Sequence, residues 1–271
     1  MKQWRLLTGE ASGAMNMAID QALLKLKADG KSPPTLRLYK WKPSAVSLGY
    51  FQRKRGPDPE ACERLGLDVV RRPSGGRAVL HLGDLTYAII AGTNDGIPFD
   101  ADGAYRLISK GLVIGLNAIG VTADSYEGND GASLPTICFM RPASGEIVWQ
   151  GKKFVGNAQA WSGQTLLQHG SIAIEPQIDY LTELFRPERY PLDQFRQALE
   201  AKVTSINGIM GRAISPDVVG EAIRNGLGEA LGEALGVTFE PGELSPEESD
   251  LAERLSLMPA EQLTREVRRR A

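Results

Sequence analysis

Apolar residues at Met15, Ile19, Ala22, Leu23 and Leu26 recur at steps of three and four, which puts them on one face of a helix. Asn16 is its expected cap and Gly30 its expected stop. The period then changes. Thr35–Trp41 and Ala45–Leu48 are short runs of leucine, valine and aromatics about Lys42-Pro43-Ser44, a pattern that predicts two paired strands joined by a tight turn. A short helix is expected over 59–65, and strands over Asp68–Arg71 and 85–91. Tyr105, Ile108, Leu112, Leu116 and Ile119 mark one face of a long helix capped by Asp102. Strand character returns over Ile147–Trp149, 153–161 and 165–174. Strands grouped in the middle, with helices between the groups, predict an α+β (mixed α/β) fold around a central mixed sheet flanked by helices.

After about Glu175 the period is helical, as at Tyr180, Leu181 and Leu184, at Phe195, Leu199 and Val203, and at Val218, Val219, Ala222, Ile223 and Leu227. Residues 1–175 are therefore expected to form the main part of the domain, and 176–271 a small helical C-terminal extension packed on it. Gly-Glu-Ala-Leu occurs twice between Gly228 and Leu235. Each interior glycine costs about 1 kcal/mol against alanine, so this helix is expected to be locally weak. Arg268-Arg269-Arg270 reads as a solvated end.

Composition narrows the class. The 271 residues are 42% hydrophobic and 24% charged, which excludes global disorder, a collagenous repeat and a disulfide-stapled miniprotein. With 31 Lys plus Arg against 33 Asp plus Glu, the net charge of -2 gives no global field for nucleic acid or an anionic membrane. Neither is expected as a partner, and a basic site must be local. Apolar stretches such as 87–91 and 112–116 are far shorter than a bilayer span. The first 21 residues lack the apolar core of a secretory signal, so the expected compartment is the cytoplasm. Cys62 and Cys138 read as separate thiols there, and the two Cys and two His lack zinc-ligand spacing, so no metal is expected.

Four segments could carry chemistry. Arg71 to His81 holds Ser74, Gly75, Gly76 and Arg77 between two strands; the glycines admit close backbone approach while Arg71, Arg72 and Arg77 add fixed charge. That suits a phosphate, a pantetheine arm or an acyl carbonyl, and fits a plain glycine turn equally well. It is neither a Walker A loop nor GxGxxG. Gly151 to Gln159 places Lys153 on one face with Val155, where an ammonium could donate to a carbonyl or phosphate oxygen; taken alone it reads better as a polar hairpin. His169-Gly170-Ser171 puts a polar step inside a strand otherwise fit for burial. Cys138 follows a polar, glycine-containing loop, whereas Cys62 lies in a short helix and reads as structural.

Together these segments resemble the biotin/lipoate protein ligase superfamily, most nearly its cysteine-dependent octanoyltransferases of the LipM class. The likeness runs through 16–20, 47–52, Arg71 to His81, 85–87, Cys138-Phe139, Gly151 to Gln159 and 167–172. It implies a ligase-like catalytic domain in which Cys138 is the nucleophile, Lys153 and the glycine loop hold the acyl group, and the acyl site comprises Arg72, Ser74, Gly75, Gly76, Arg77, His81, Gly156, Asn157, Ala158, His169 and Gly170. The implied reaction moves octanoyl from acyl carrier protein to a lysine of a lipoyl-accepting protein, such as glycine-cleavage H protein or a dehydrogenase lipoyl domain. No cofactor is expected, because thioester exchange is nearly isoenergetic and thioester to amide is downhill. ATP and Mg belong to the alternative, a lipoate-protein ligase acting through an acyl-adenylate. A second alternative is a non-catalytic binder of lipoyl domains or acyl carriers. The sequence departs from the usual pattern at Ser74, Asn157, Leu82 and Ala143-Ser144-Gly145, positions that bear on acceptor and chain-length preference.

Overall fold

The computed structural model describes residues 1–53, 56–125, 146–187 and 191–258. The chain opens with β1 (Lys2–Ala11), α1 (Gly13–Ala28), β2 (Thr35–Trp41), β3 (Ala45–Leu48), α2 (Pro59–Arg64), β4 (Asp68–Arg71), β5 (Val79–His81) and β6 (Asp84–Gly92). It continues through α3 (Ala101–Ala118), β7 (Asp124–Ser125), β8 (Ile147–Trp149), β9 (Lys152–Lys153), β10 (Val155–Ser162) and β11 (Thr165–Ala173). The C-terminal part holds α4 (Ile178–Leu184), α5 (Leu192–Lys202), α6 (Ile206–Met210), α7 (Pro216–Leu235), β12 (Val237–Pro241) and α8 (Pro246–Ser256). No described helix is long and apolar enough to cross a membrane.

Six strands form the main sheet in the order β10-β11-β6-β2-β1-β12. β1 runs parallel to β2 and β12, while β6 runs antiparallel to β2 and β11, so the sheet is mixed. All nine residues of β6 are buried, because helices cover both faces. Tyr87, Ile89 and Ala91 pack with Ile108, Leu112 and Leu227 of α3 and α7. Ala88 and Ile90 pack with Leu23 and Leu24 of α1 and Leu251 of α8. Two smaller sheets, β4-β3-β5 and β7-β8-β9, flank this layer.

The central strands and helices fall where the periodicity puts them, with five differences. Ser12, not Asn16, caps α1 and accepts from the Met15 amide at 3.3 Å. Asn16 is buried inside the first turns, where its amide donates to the carbonyls of Ala11 and Lys40 at 3.0 Å each. Asp100, not Asp102, caps α3. β2 and β3 do not pair, since β2 is taken between β1 and β6 while β3 joins β4 and β5. The run expected over 153–161 is split at Phe154, so that Lys153 pairs with Val148 in the small sheet and Val155 begins the edge of the large one. Beyond residue 175 the chain is not helical throughout, because Val237–Pro241 is a strand lying parallel to β1.

The glycines of α7 answer to packing. A Cβ on Gly226 would lie 2.3 Å from both the Gly111 carbonyl oxygen and the Gly115 nitrogen of α3, and one on Gly115 would lie 2.4 Å from the Ala222 oxygen. The two helices therefore meet backbone to backbone, and contact at that range offsets the low helix propensity of glycine. A Cβ on Gly228 would meet nothing nearer than the Phe239 ring at 3.8 Å. We predict opposite signs for two chemically identical changes. Gly226→Ala should destabilise by about 1–3 kcal/mol through overpacking, and Gly228→Ala should stabilise by up to about 1 kcal/mol. Urea unfolding of the two variants checks this, and a stabilising Gly226→Ala would rule out the close contact.

Candidate active site

The glycine loop leaves β4 and is wired to the strand before it by arginines. Arg72 is buried and donates to the Ser47 carbonyl at 2.9 Å, to the Gly75 carbonyl at 2.8 Å and to the Arg77 carbonyl at 2.7 Å. Arg71 donates to the carbonyls of Gly49 and Gln52 at 2.7 and 2.9 Å. A Cβ on Gly49 would sit 1.9 Å from the Gly76 oxygen, so the two turns touch through bare backbone. Gly76 has φ of +92°, which strains any other residue, whereas Gly75 faces open space.

Two histidines reach this region from the sheets. His169 Nε2 lies 2.5 Å from Ser74 Oγ, and its Nδ1 lies 3.1 Å from Asp20 Oδ2. Asp20 is wholly buried and also meets the Arg37 guanidinium and the Tyr39 hydroxyl. Burial pushes its carboxyl up, but Arg37, the His169 hydrogen bond and Tyr39 outweigh that and hold it below the ordinary value. His81 lies between Asp84 Oδ2, at 2.9 Å from Nδ1, and Ser47 Oγ, at 2.8 Å from Nε2. Burial lowers the His81 pKa and outweighs the pull of Asp84 in the other direction. The Trp41 ring stacks on the imidazole with centroids 3.9 Å apart.

These groups surround one small, largely enclosed cavity. Met17, Tyr39, Trp41 and Val79 supply apolar wall, Ser47, Arg72, His81, Thr86, Asn157, His169 and Ser171 supply polar wall, and Gly156, Ala158 and Gly170 complete it. A larger open groove of about 1190 Å³ lies between β1, β2 and α7. It holds no histidine, and charges on its walls meet each other, Lys40 with Asp217 and Arg224 with Glu221.

Of the residues expected at the site, Arg72, His81, Gly156, Asn157, Ala158, His169 and Gly170 line one cavity. Ser74 is held behind its wall by His169, while Gly75, Gly76 and Arg77 belong to the loop that Arg72 clasps. Gly170 makes room for protein, since a Cβ there would lie 2.1 Å from Asn157 Oδ1 and 2.6 Å from the Tyr87 ring. Lys153 is not on the cavity wall; it is wholly buried and donates to Glu146 at 2.5 Å. Cys138 lies outside the described residues. Sequence reasoning missed Asp20, Asp84, Tyr39, Trp41, Ser47 and Thr86, most of which sit on the neighbouring strands as unremarkable polar or aromatic positions.

With this geometry in place, comparison with known proteins is specific. The lipoyl protein ligase A/B catalytic domain family matches residues 12–228, and the chain belongs to it. It is 41% identical to the octanoyltransferase LipM of Kyrpidia tusciae over 265 residues, which cover 94% of this chain and 95% of that one. It is 35% identical to the octanoyltransferase LipM of Bacillus subtilis over 267 residues, covering 93% and 94%. Among solved structures it is similar to a T. acidophilum lipoate protein ligase with bound lipoic acid, with a TM-score of 0.72 and 26% identity over 94% and 95% of the chains. The fold also matches lipoate-protein ligase A bound with ATP, with a TM-score of 0.75 over 97% and 99%.

The Asp20 centre predicts an acid limb in stability. Its folded pKa is below the unfolded value of about 3.9, so the unfolded chain binds the proton more tightly. The contribution is complete above that value and is lost as pH falls through the folded one. Asp20→Asn should cost about 3–5 kcal/mol at neutral pH by stranding Arg37, and should flatten the loss of stability below pH about 4. Urea midpoints from pH 7 to 3 test both, and an unchanged acid limb would contradict the assignment.

Proposed function

We propose that the chain is an octanoyltransferase of lipoate biosynthesis. It takes an octanoyl group from an acyl carrier thioester, holds it as a thioester on Cys138, and passes it to the lysine amine of a lipoyl-accepting protein. The observation that carries this reading is identity of 41% and 35% to two LipM octanoyltransferases along nearly the whole of each chain. Membership of the lipoyl protein ligase A/B catalytic domain family supports a lipoyl-accepting protein as acceptor. Acyl carrier protein is our proposed donor, and glycine-cleavage H protein or a dehydrogenase lipoyl domain our proposed acceptor.

The chemistry divides into two acyl transfers. The thiolate of Cys138 attacks the carrier thioester, forming the enzyme thioester and releasing the carrier thiol. The neutral lysine amine of the acceptor then attacks that carbonyl, the C–S bond breaks with the Cys138 sulfur leaving, the nitrogen gives up a proton to that sulfur, and the amide forms. A thiol of ordinary pKa near 8.5 is mostly protonated at neutrality, so a cation beside it raises the thiolate fraction. We assign that role to Lys153, together with stabilisation of the tetrahedral oxyanion. Its partner Glu146 fixes the ammonium at one end of the strand that carries Gly156, Asn157 and Ala158. Arg72, Ser74, Gly75, Gly76, Arg77, His81, His169 and Gly170 shape the acyl cavity in this reading.

Incubation with octanoyl-carrier and no ATP, followed by intact-protein mass measurement, tests the class. An increment that neutral hydroxylamine removes is expected; dependence on ATP would point to the ligase alternative. Cys138→Ser should abolish transfer, and Cys62→Ser should retain it. The Cys62 thiol is pushed up by burial and then by Asp58, which keeps it protonated and inert. Loss of transfer in the Cys62 variant alone would overturn the assignment.

Lys153→Ala should lower turnover by about 100- to 1,000-fold if it supplies an oxyanion donor. Lys152→Ala, on the outward side of β9, should have little effect. Equal and mild losses in a steady-state assay would remove Lys153 from the mechanism.

A further inference from the structure

Two rows of carboxylate, imidazole and hydroxyl converge on the cavity, and they are not equivalent. In the row Asp20–His169–Ser74 the carboxylate is already matched by Arg37 and Tyr39, and Ser74 is not on the cavity wall. In the row Asp84–His81–Ser47 both the imidazole and the hydroxyl line the cavity. Asp84 Oδ2 receives the Ser171 and Thr86 hydroxyls at 2.6 and 3.1 Å in addition to His81, and no Lys or Arg pairs with it among the described residues. A carboxylate placed in this way keeps the imidazole proton on Nδ1 and leaves the Nε2 lone pair toward Ser47. Burial holds the ring neutral, and neutrality is what a base requires. Arg72 Nη1 stands 3.2 Å from Ser47 Oγ, where a cation favours a developing alkoxide.

We propose that Ser47, His81 and Asp84 form a second nucleophilic site in this cavity, one that accepts a medium-chain acyl group from an ester or thioester and releases it to water. Ser47 Oγ bonds to the acyl carbon while its proton passes to His81 Nε2. The bond from the acyl carbon to the leaving sulfur or oxygen breaks, and the leaving group takes that proton. Water then adds to the acyl-serine carbon and gives a proton to Nε2. The bond to Oγ breaks, Oγ recovers the proton, and a free fatty acid departs. The choice of an octanoyl chain rests on the function proposed above; the serine site does not depend on Cys138.

The experiment uses the full chain carrying Cys138→Ala, with p-nitrophenyl octanoate as acyl donor. Peptide mapping is expected to find octanoyl on the Ser47 peptide, resistant to neutral hydroxylamine as an oxygen ester is. His81→Gln in that background should slow p-nitrophenol release by about 100-fold. Adding Ser47→Ala should remove both the adduct and the release. Ser47→Cys, which keeps the side-chain volume, should restore an adduct that hydroxylamine now removes, and it decides the matter if Ser47→Ala does not fold. No octanoyl on the Ser47 peptide, or release unchanged by Ser47→Ala, overturns the proposal. Formation of the Cys138 thioester by the unaltered chain with Ser47 bare would leave the transferase reading standing and sink only this one. Octanoyl transfer to acceptor lysine by the Cys138→Ala protein would do the reverse.

Discussion

A carboxylate with no access to water cannot stay charged unless the protein supplies what water would have supplied, and Asp20 is such a group. Arg37, Tyr39 and His169 reach it from β2 and β11, while Asp20 itself comes from α1. The Arg37 guanidinium also lies 4.1 Å over the Tyr39 ring, so its flat face is covered as well as its edge. Three elements are thereby held in one register around a single charge, and the fourth connection runs on from His169 to Ser74. The glycine loop thus takes its position from a residue more than fifty positions earlier in the chain. A pair like this adds little net stability over apolar packing, but removing one member is costly. Its effect on the site is geometric.

The opposite side of the sheet is built on the absence of side chains. Gly111 and Gly115 on α3 and Gly226 on α7 let two backbones approach within contact distance, and the leucines and isoleucines beside them close over β6. With α3 held there, its first turns lie against β10, where the Tyr105 hydroxyl receives a hydrogen bond from Asn157 at 3.3 Å. Tyr87 on β6 donates to Asn157 Oδ1 at 2.9 Å, and burial raises its pKa so that it keeps this proton. A helix contact on that face therefore fixes the Asn157 side chain behind the strand that lines the cavity.

What could be read in the sequence was what depends on neighbours along the chain. The period of three and four in α1 and α3 and the apolar runs of β2, β6 and β11 are local, and all appear where expected. β1 and β12 escaped because their residues alternate poorly: β1 is exposed at both ends, and β12 is a short edge strand with most of its residues partly exposed. Caps slipped by a few residues because Asn16 and Asp102 have the right chemistry while Ser12 and Asp100 have the right backbone geometry. The same division holds at the site. Glycines and histidines at Gly75, Gly76, His81, His169 and Gly170 stand out in any strand-like run. Asp20 sits in a helix as one polar residue among several and Asp84 at the mouth of a turn, and only the fold brings each to its histidine.

A cavity lined by seven polar residues is an unexpected place for the aliphatic chain that the proposed function puts there, and the hydrogen bonds explain how it could hold one. Trp41 Nε1 donates to Thr86 Oγ1 at 2.8 Å, and Thr86 in turn donates to Asp84. Ser171 donates to the same carboxylate, Arg72 donates to Ser47, and Ser47 meets His81. Asn157 is held between Tyr87 and Tyr105. Most of the wall's donors and acceptors are thus turned toward one another, in networks anchored on Asp84, on Asp20 through His169 and, for Asn157, on two tyrosines. Polar groups satisfied in this way lose little when water leaves the cavity, since no hydrogen bond is stranded by an apolar neighbour. The surface left facing inward is made of ring faces, methyl and methylene groups and glycine backbone, against which a methylene chain can pack. Cutting one link has a different consequence from deleting one contact, because every orphaned partner then needs water in the space that the proposed function gives to the acyl chain.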